Sequence, residues 1–374
     1  MTTQSGVKTD EAAQLLGIEL ARFRFIELHC LNLLSPSHLE FPRRYSPPDL
    51  KILSVANRLL DEGVAPGALK FQLAKMVADS SWDMGMSGLP KGELNVSTLL
   101  AVSSGKGGVG KSNVALNLAV EFVRLGLRTA VLDADFGVAN LHLMAGLKTG
   151  RTLRHVISGE YGIEDIIASV PEGPDIVPGS SGIFELANLP ASKRQMLLAE
   201  LKKLESRYEI IIIDTAAGVA AAVIDFVASS DFALVVTTPE TTAITDAYAL
   251  IKLSLQRNPC SRMGIVANRV KSAGTGAATL GRISACTRRF LGHSALELGC
   301  IWEDSNVRRS VNECVPLAIR YPQSRASVAI RKLARTLREK GVISPRTREK
   351  EGGFDLFGVR CAQGVMGAAE KAMG

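Results

Sequence analysis

The sequence lacks any pair of cysteines spaced to act together. Cys30, Cys260, Cys286, Cys300, Cys314 and Cys361 are scattered through 374 residues with no C-x-x-C among them. That excludes the usual spacing of a zinc or iron–sulfur site and gives no disulfide framework, so most of these cysteines are expected to pack as small buried hydrophobes. The chain also lacks an uninterrupted apolar run near the roughly 20 residues of a membrane span. Its start, Met1-Thr-Thr-Gln-Ser-Gly6, has no signal-peptide core, and a cytoplasmic protein is expected. Neither sign of charge is extreme. The net +7 permits nucleic acid or anionic lipid as a partner and requires neither. Much of the surplus falls late, at Arg331, Lys332, Arg335, Arg338, Lys340, Arg346, Arg348 and Lys350. Apolar residues are plentiful, at 46%, which excludes global disorder. The length suffices for one large domain and a smaller one.

The apolar run Leu99-Leu-Ala-Val102 leads into Ser103-Ser-Gly-Lys-Gly-Gly-Val-Gly-Lys-Ser-Asn113 and then into the amphipathic run Val114 to Val123. This reads as a strand, a phosphate loop and a helix. Gly105, Gly110, Lys111 and Ser112 fill the G-x-x-x-x-G-K-[ST] pattern, whose glycines let backbone N–H groups crowd around phosphate oxygens at a positively polarised helix end. Lys111 would neutralise the β- and γ-phosphates, and the Ser112 hydroxyl would ligate Mg²⁺. The stretch Gly105, Lys106, Gly107, Gly108, Val109, Gly110, Lys111, Ser112 and Asn113 is therefore the candidate cradle for ATP. A chance glycine-rich turn is the plain alternative; the flanking strand and helix weigh against it.

Beyond the loop, β-branched runs alternate with helical patterns: Arg128–Asp133, Asp175–Val177, Tyr208–Asp214, Phe232–Thr237, Met263–Asn268 and Leu298–Ile301. Continuous apolar strands separated by helices imply a mainly parallel sheet with helices on both faces, and ligands bind beyond the carboxyl ends of such strands. Polar groups stand at those ends. Asp133 and Asp135 close one strand, and two carboxylates so placed cannot both be core residues. Asp214 closes Ile210-Ile-Ile-Ile213 in the manner of a Walker B aspartate near Mg²⁺, followed by a switch of small residues. Asn268 closes a later strand, and its amide offers both a donor and an acceptor. Further along, Thr245 is expected to cap a helix whose stripe Ala247, Leu250, Ile251 and Leu255 faces the core.

Lys106 makes the loop Lys106-Gly-Gly-Val-Gly-Lys-Ser112, with a second lysine inside it. Here the chain resembles the MinD/ParA superfamily of deviant Walker A ATPases. The resemblance implies an α/β P-loop NTPase fold, slow switch-type hydrolysis of ATP with Mg²⁺, and an ATP-dependent homodimer in which Lys106 reaches the partner's nucleotide. It also implies that Asp133 supports the magnesium shell with Ser112 and Asp214, that Asp135 orients or activates the attacking water, and that Asn268 with Arg269 meets the adenine. A solvent-facing Lys106, a turn-capping Asp135 and a turn-forming Asn268 remain the plain readings of the residues alone. Ala216 stands where most superfamily members carry proline or glycine.

Three segments, Thr237 to Lys252, Cys300 to Val311 and Pro316 to Ser327, look like the FlhG (FleN) branch. The resemblance runs from about Thr98 to Leu337, with Trp302 where the branch usually shows proline. It implies control of flagellar number or placement, through a flagellar assembly GTPase or a flagellar transcription activator. A ParA-type partition ATPase and a nucleotide-sensing transcription regulator are the alternatives. Iron-protein relatives are disfavoured because they need paired cysteines.

The ends differ from this core. Residues 9 to about 75 resemble a MerR-type winged helix-turn-helix, with Asp10–Ile18 as first helix and turn, Ala21–Leu28 as second helix, Pro42–Tyr45 as wing and Asp49–Leu60 as the next helix. That resemblance makes Arg22, Arg24, Arg43 and Arg44 the DNA contacts. Eight acidic residues in the same segment, from Asp10 to Glu62, keep a protein-binding or dimerising role open. The expected division is 1–82 for this head, 83–97 for a Gly- and Pro-bearing linker, 98–342 for the ATPase and 343–374 for a tail. In the tail Phe354, Phe357, Cys361, Val365, Ala368 and Ala372 recur at helical spacing. MinD-like proteins often end in an amphipathic helix on anionic membrane, which would place the protein at the inner face of the cell membrane or a pole; a flexible tail is the alternative, since glycines interrupt the pattern.

Overall fold

The computed structural model describes residues 7–30, 34, 44–45, 47–62, 64, 69, 73, 97–135, 137, 139–180, 191–259 and 261–343. They fall in two compact units, Met1–Gly92 and Glu93–Gly374. Residues 83–96 of the expected linker (83–97), residues 344–374 of the expected tail (343–374) and Arg43 lie outside the described residues.

In the first unit β1 (Val7–Lys8) and β2 (Arg44–Tyr45) pair antiparallel, with Val7 opposite Tyr45. Around them lie α1 (Thr9–Leu16), α2 (Leu20–Cys30) and α3 (Pro47–Asp61). Ala12, Phe23, Ile26, Tyr45, Leu53 and Ala56 form its core. The Phe23 and Tyr45 rings meet edge to face with centroids 5.4 Å apart, and the buried Tyr45 hydroxyl donates to the Glu27 carboxylate.

The second unit is built on an eight-stranded sheet of β3 (Thr98–Ser104), β4 (Thr129–Ala134), β5 (Ala168–Ser169), β6 (Asp175–Val177), β7 (Ile210–Ala217), β8 (Phe232–Thr237), β9 (Met263–Val270) and β10 (Leu296–Trp302). Their order is β10-β9-β8-β3-β7-β4-β6-β5. All neighbours run parallel except β5 and β6. The connecting helices are α4 (Lys111–Arg124), α5 (Leu141–Met144), α6 (Leu153–Ser158), α7 (Ala191–Arg207), α8 (Ala221–Ser229), α9 (Thr241–Arg257), α10 (Ala273–Leu291), α11 (Ser305–Asn312), α12 (Leu317–Arg320) and α13 (Arg325–Glu339).

Both faces of the sheet are covered, as the continuous apolar strands require. On β3 the side chains alternate. Leu100 and Val102 join one cluster with Leu118 and Phe122 of α4 and Ile330 and Leu333 of α13. Leu99 turns to the opposite face against α6 and α7, and Ala101 against α8, α9 and α10.

Two expectations are corrected. Thr245 does not cap: α9 starts four residues earlier behind Glu240, and the Thr245 hydroxyl donates to the Thr241 carbonyl at 3.1 Å inside the helix. The stripe Ala247, Leu250, Ile251 and Leu255 is buried as expected. Among the described cysteines only Cys30 is buried; Cys286, on an outward position of α10, and Cys314, in the turn after α11, are exposed, and Cys300, on the edge strand β10, is intermediate. No helix among the described residues is long and apolar enough to cross a membrane.

Candidate nucleotide site

Parallel strands deliver their loops to one edge of the sheet, and the polar groups at the ends of β3, β4, β7 and β9 converge there. The chain leaves β3 at Ser104, turns through 105–110 and enters α4 at Lys111. Two glycines have no substitute in that turn. A Cβ on Gly105 would lie 2.1 Å from the backbone oxygen of Asp246 in α9, and one on Gly110, at φ +91°, would lie 2.5 Å from the Asn268 side-chain nitrogen. At Gly107 and Gly108 an added Cβ would meet nothing within 4 Å. The space over the loop is an open cradle at the start of a fourteen-residue helix, which suits phosphate.

Lys111 is buried, with its Nζ 2.7 Å from Asp214 Oδ1 and 3.2 Å from Ser112 Oγ. Asp214 on β7 and Asp133 on β4 stand opposite each other in register, each 1% exposed. The Asp133 carboxylate accepts the backbone N–H groups of Asp135 and Leu141, both at 3.2 Å. Burial, with the neighbouring charge of Asp214, nevertheless pushes the Asp133 carboxyl up to about 7. Burial also pushes Asp214 up, against the pull of the Lys111 ammonium. Two desolvated carboxylates beside one ammonium leave negative charge in excess, an arrangement that fits a hard divalent cation. No cage of three or more His, Cys, Asp or Glu exists among the described residues. Magnesium is typically held by one or two protein oxygens together with phosphates and water, and the Ser112 hydroxyl and the Asp214 carboxylate, both beside the Lys111 ammonium, could supply them.

Asp135 is half-buried; its Oδ1 accepts the Gly137 N–H at 3.3 Å, and its charge is felt at Asp214. Lys106 points away from this buried pair. Its Nζ donates to Glu240 Oε2 at 2.7 Å and to Thr242 Oγ1 at 2.8 Å, and the ammonium holds the Glu240 carboxyl below its usual range. Sequence reasoning missed Glu240 and Thr242. The available signal was their place just after a strand end, since β8 neighbours β3 in the sheet.

Asn268 is 8% exposed and spends its amide on the loop: Nδ2 donates to the Val109 carbonyl at 2.8 Å and Oδ1 accepts the Arg269 N–H at 2.9 Å. One donor and one lone pair remain. Arg269, at φ +56°, is exposed beside it. A cavity of about 620 Å³ opens here, lined among others by Gly108, Asn113, Asn268, Arg269, Trp302 and Arg308.

Of the arginines expected to meet DNA, Arg22, Arg24 and Arg44 lie among the described residues. Arg22 gives its Nε to Asn57 Oδ1 at 2.8 Å and its Nη2 to the Asp61 carboxylate. Arg24 is exposed on α2, and Arg44 pairs through its backbone with Lys8.

Loop, lysine, paired carboxylates and parallel sheet together define a P-loop nucleoside triphosphatase. A family model described as an AAA domain matches residues 97–257. The chain is 35% identical over 272 residues to the antiactivator FleN of Pseudomonas aeruginosa, covering 73% of this chain and 96% of that protein. It is 34% identical over 259 residues to the flagellum site-determining protein YlxH of Helicobacter pylori, covering 69% and 87%. The cell division ATPase MinD of Pyrococcus furiosus superposes with a TM-score of 0.54 at 25% identity, covering 65% of this chain and 99% of that one. The chain belongs to the MinD/ParA family of P-loop ATPases, with FleN/FlhG-type proteins among its relatives.

Proposed function

We propose that the protein is a Mg-ATP-dependent regulatory switch that dimerises with ATP, hydrolyses it slowly, and controls flagellar number or placement through partners that distinguish the two states. The observation that carries the reading is the buried Lys111–Asp214 pair beneath an open glycine cradle. An ammonium there is positioned to shift from carboxylate to phosphate when the triphosphate enters, and the loop N–H groups share the charge. Ser112, Asp214 and Asp133 are the residues that would hold magnesium, which supplies charge neutralisation at the phosphates when bound. Asp135 orients the attacking water, a role in which position matters more than basicity. Lys106, held by Glu240 and Thr242 in the single chain, exchanges those partners for the second subunit's nucleotide.

The name of the Helicobacter pylori relative, a flagellum site-determining protein, supports the flagellar assignment, and the partner in this proposal is a flagellar assembly GTPase or a flagellar transcription activator. DNA contact by the first unit, through Arg22, Arg24, Arg43 and Arg44, and lipid contact by the tail are further parts of the proposal. The decisive measurement is the solution mass of the purified protein with Mg-ADP and with Mg-ATP, for wild type and Asp135→Ala. The expected result is an ATP-dependent dimer that lasts longer in the variant. One mass under all conditions would remove the switch. In the cell, deletion that left the number and placement of flagella unchanged would remove the flagellar role.

A further inference from the structure

The cavity beside the phosphate loop has one wall that the other site residues do not account for. Trp302 is the last residue of β10 and pairs in register with Val270, two residues beyond Asn268 on the adjacent strand. It is half-buried and lines the cavity. Arg325, the first residue of α13, does not line it; its guanidinium lies over the Trp302 ring at 4.9 Å from the centroid. The cation braces one face of the indole, and the side chain also packs against the cluster that contains Val270 and Leu280, which fixes the part of the ring that reaches the cavity. Gly108 and Gly110 line one part of the same cavity and Trp302 another, and about 620 Å³ is ample for a nucleotide reaching from phosphates to base.

We propose that Trp302 is the platform on which the nucleotide base stacks, and that it makes the site prefer purine to pyrimidine nucleotides. The inference rests on the nucleotide-binding reading above and adds to it the residue that selects the base. An indole offers a broad, rigid π-face, and a two-ring base overlaps it more than a one-ring base does. Asn268 and Arg269 address the base edge from the neighbouring strand end, so edge and face would be read by different strands.

The test uses the full chain carrying Trp82→Phe, which leaves Trp302 as the sole tryptophan. Mg-ATP, Mg-CTP and magnesium tripolyphosphate are titrated while indole emission and, by calorimetry, affinity are read. Mg-ATP is expected to quench Trp302 emission, whereas tripolyphosphate leaves it nearly unchanged. Trp302→Leu should weaken ATP by about tenfold while leaving CTP and tripolyphosphate near their original affinities, and Trp302→Phe should restore most of the ATP preference. ATP binding with unaltered Trp302 emission, together with the same ATP-to-CTP ratio in Trp302→Leu, would overturn the platform alone. Absence of ATP binding in the wild type, or equal binding by Lys111→Met, would overturn the nucleotide reading and this inference with it.

Discussion

Asp133 carries a conflict that nucleotide and cation relieve. Its carboxyl is pushed from the ordinary 3.8 up to about 7, mainly by burial. The folded state therefore binds the proton more tightly than the unfolded chain does. Stability contributed by this group is present below the unfolded value and is lost as pH rises through the folded one, so the nucleotide-free protein should weaken between about pH 4 and pH 7. A shift of this size sets a ceiling near 4 kcal/mol. Asp133→Asn removes the charge but keeps only one acceptor for the Asp135 and Leu141 N–H groups, which costs about 1 kcal/mol. In chelator without nucleotide, the variant should be about 2 kcal/mol more stable than wild type at pH 8 and no more stable at pH 4. Denaturant unfolding at both pH values checks this. A gain that is equal at both would show that the charge of Asp133 is not the cause.

At the scale of elements, the loop's position depends on how closely α9 approaches it. Gly105→Ala would drive a Cβ into the Asp246 backbone oxygen, and backbone atoms cannot swing aside as a side-chain tip can. The expected cost is about 3 kcal/mol, with loss of nucleotide binding. Gly107→Ala meets no neighbour, so it should change stability by under about 0.5 kcal/mol and still lower nucleotide affinity by filling the cradle. Thermal unfolding and calorimetric titration of the two variants separate packing from ligand space. The same elements show what the sequence could reveal. β6 and β8 were legible to the residue, β6 because its short β-branched run stops at Pro178-Gly179 and β8 because its apolar run ends at Thr237. β5 was not, since two residues carry no periodicity and are ordered by their antiparallel partner. Lys111 and Asp214 were legible through local patterns. Their direct pairing, and that of Lys106 with Glu240 across 134 positions, followed only from strand order. Trp302 was visible as a departure from its family's proline, but its Arg325 backing was not, because α13 returns to β10 from a distance in sequence.

At the scale of the whole molecule, the buried residues separate into cores that do not share members. Ala12 to Leu73 supply one, and the three clusters of the ATPase unit draw on residues 99 to 343. Two cores of this kind should melt as two transitions rather than one. A ligand that binds only the native ATPase unit stabilises that unit by mass action, about 2.7 kcal/mol when present at a hundred times its dissociation constant. Mg-ATP should therefore raise one transition and leave the other in place, and Lys111→Met should abolish the shift. Tyr45→Phe should do the reverse. It removes the hydroxyl that donates to buried Glu27, lowering the transition that ATP leaves alone by the equivalent of about 1–3 kcal/mol while sparing the nucleotide-sensitive one. Differential scanning calorimetry of the full chain, wild type and both variants, gives the answer in one set of scans. A single transition displaced by nucleotide and by Tyr45→Phe alike would mean that the two cores unfold as one cooperative body. In that case the head would sense the nucleotide state through stability itself, without needing any contact at the phosphate loop.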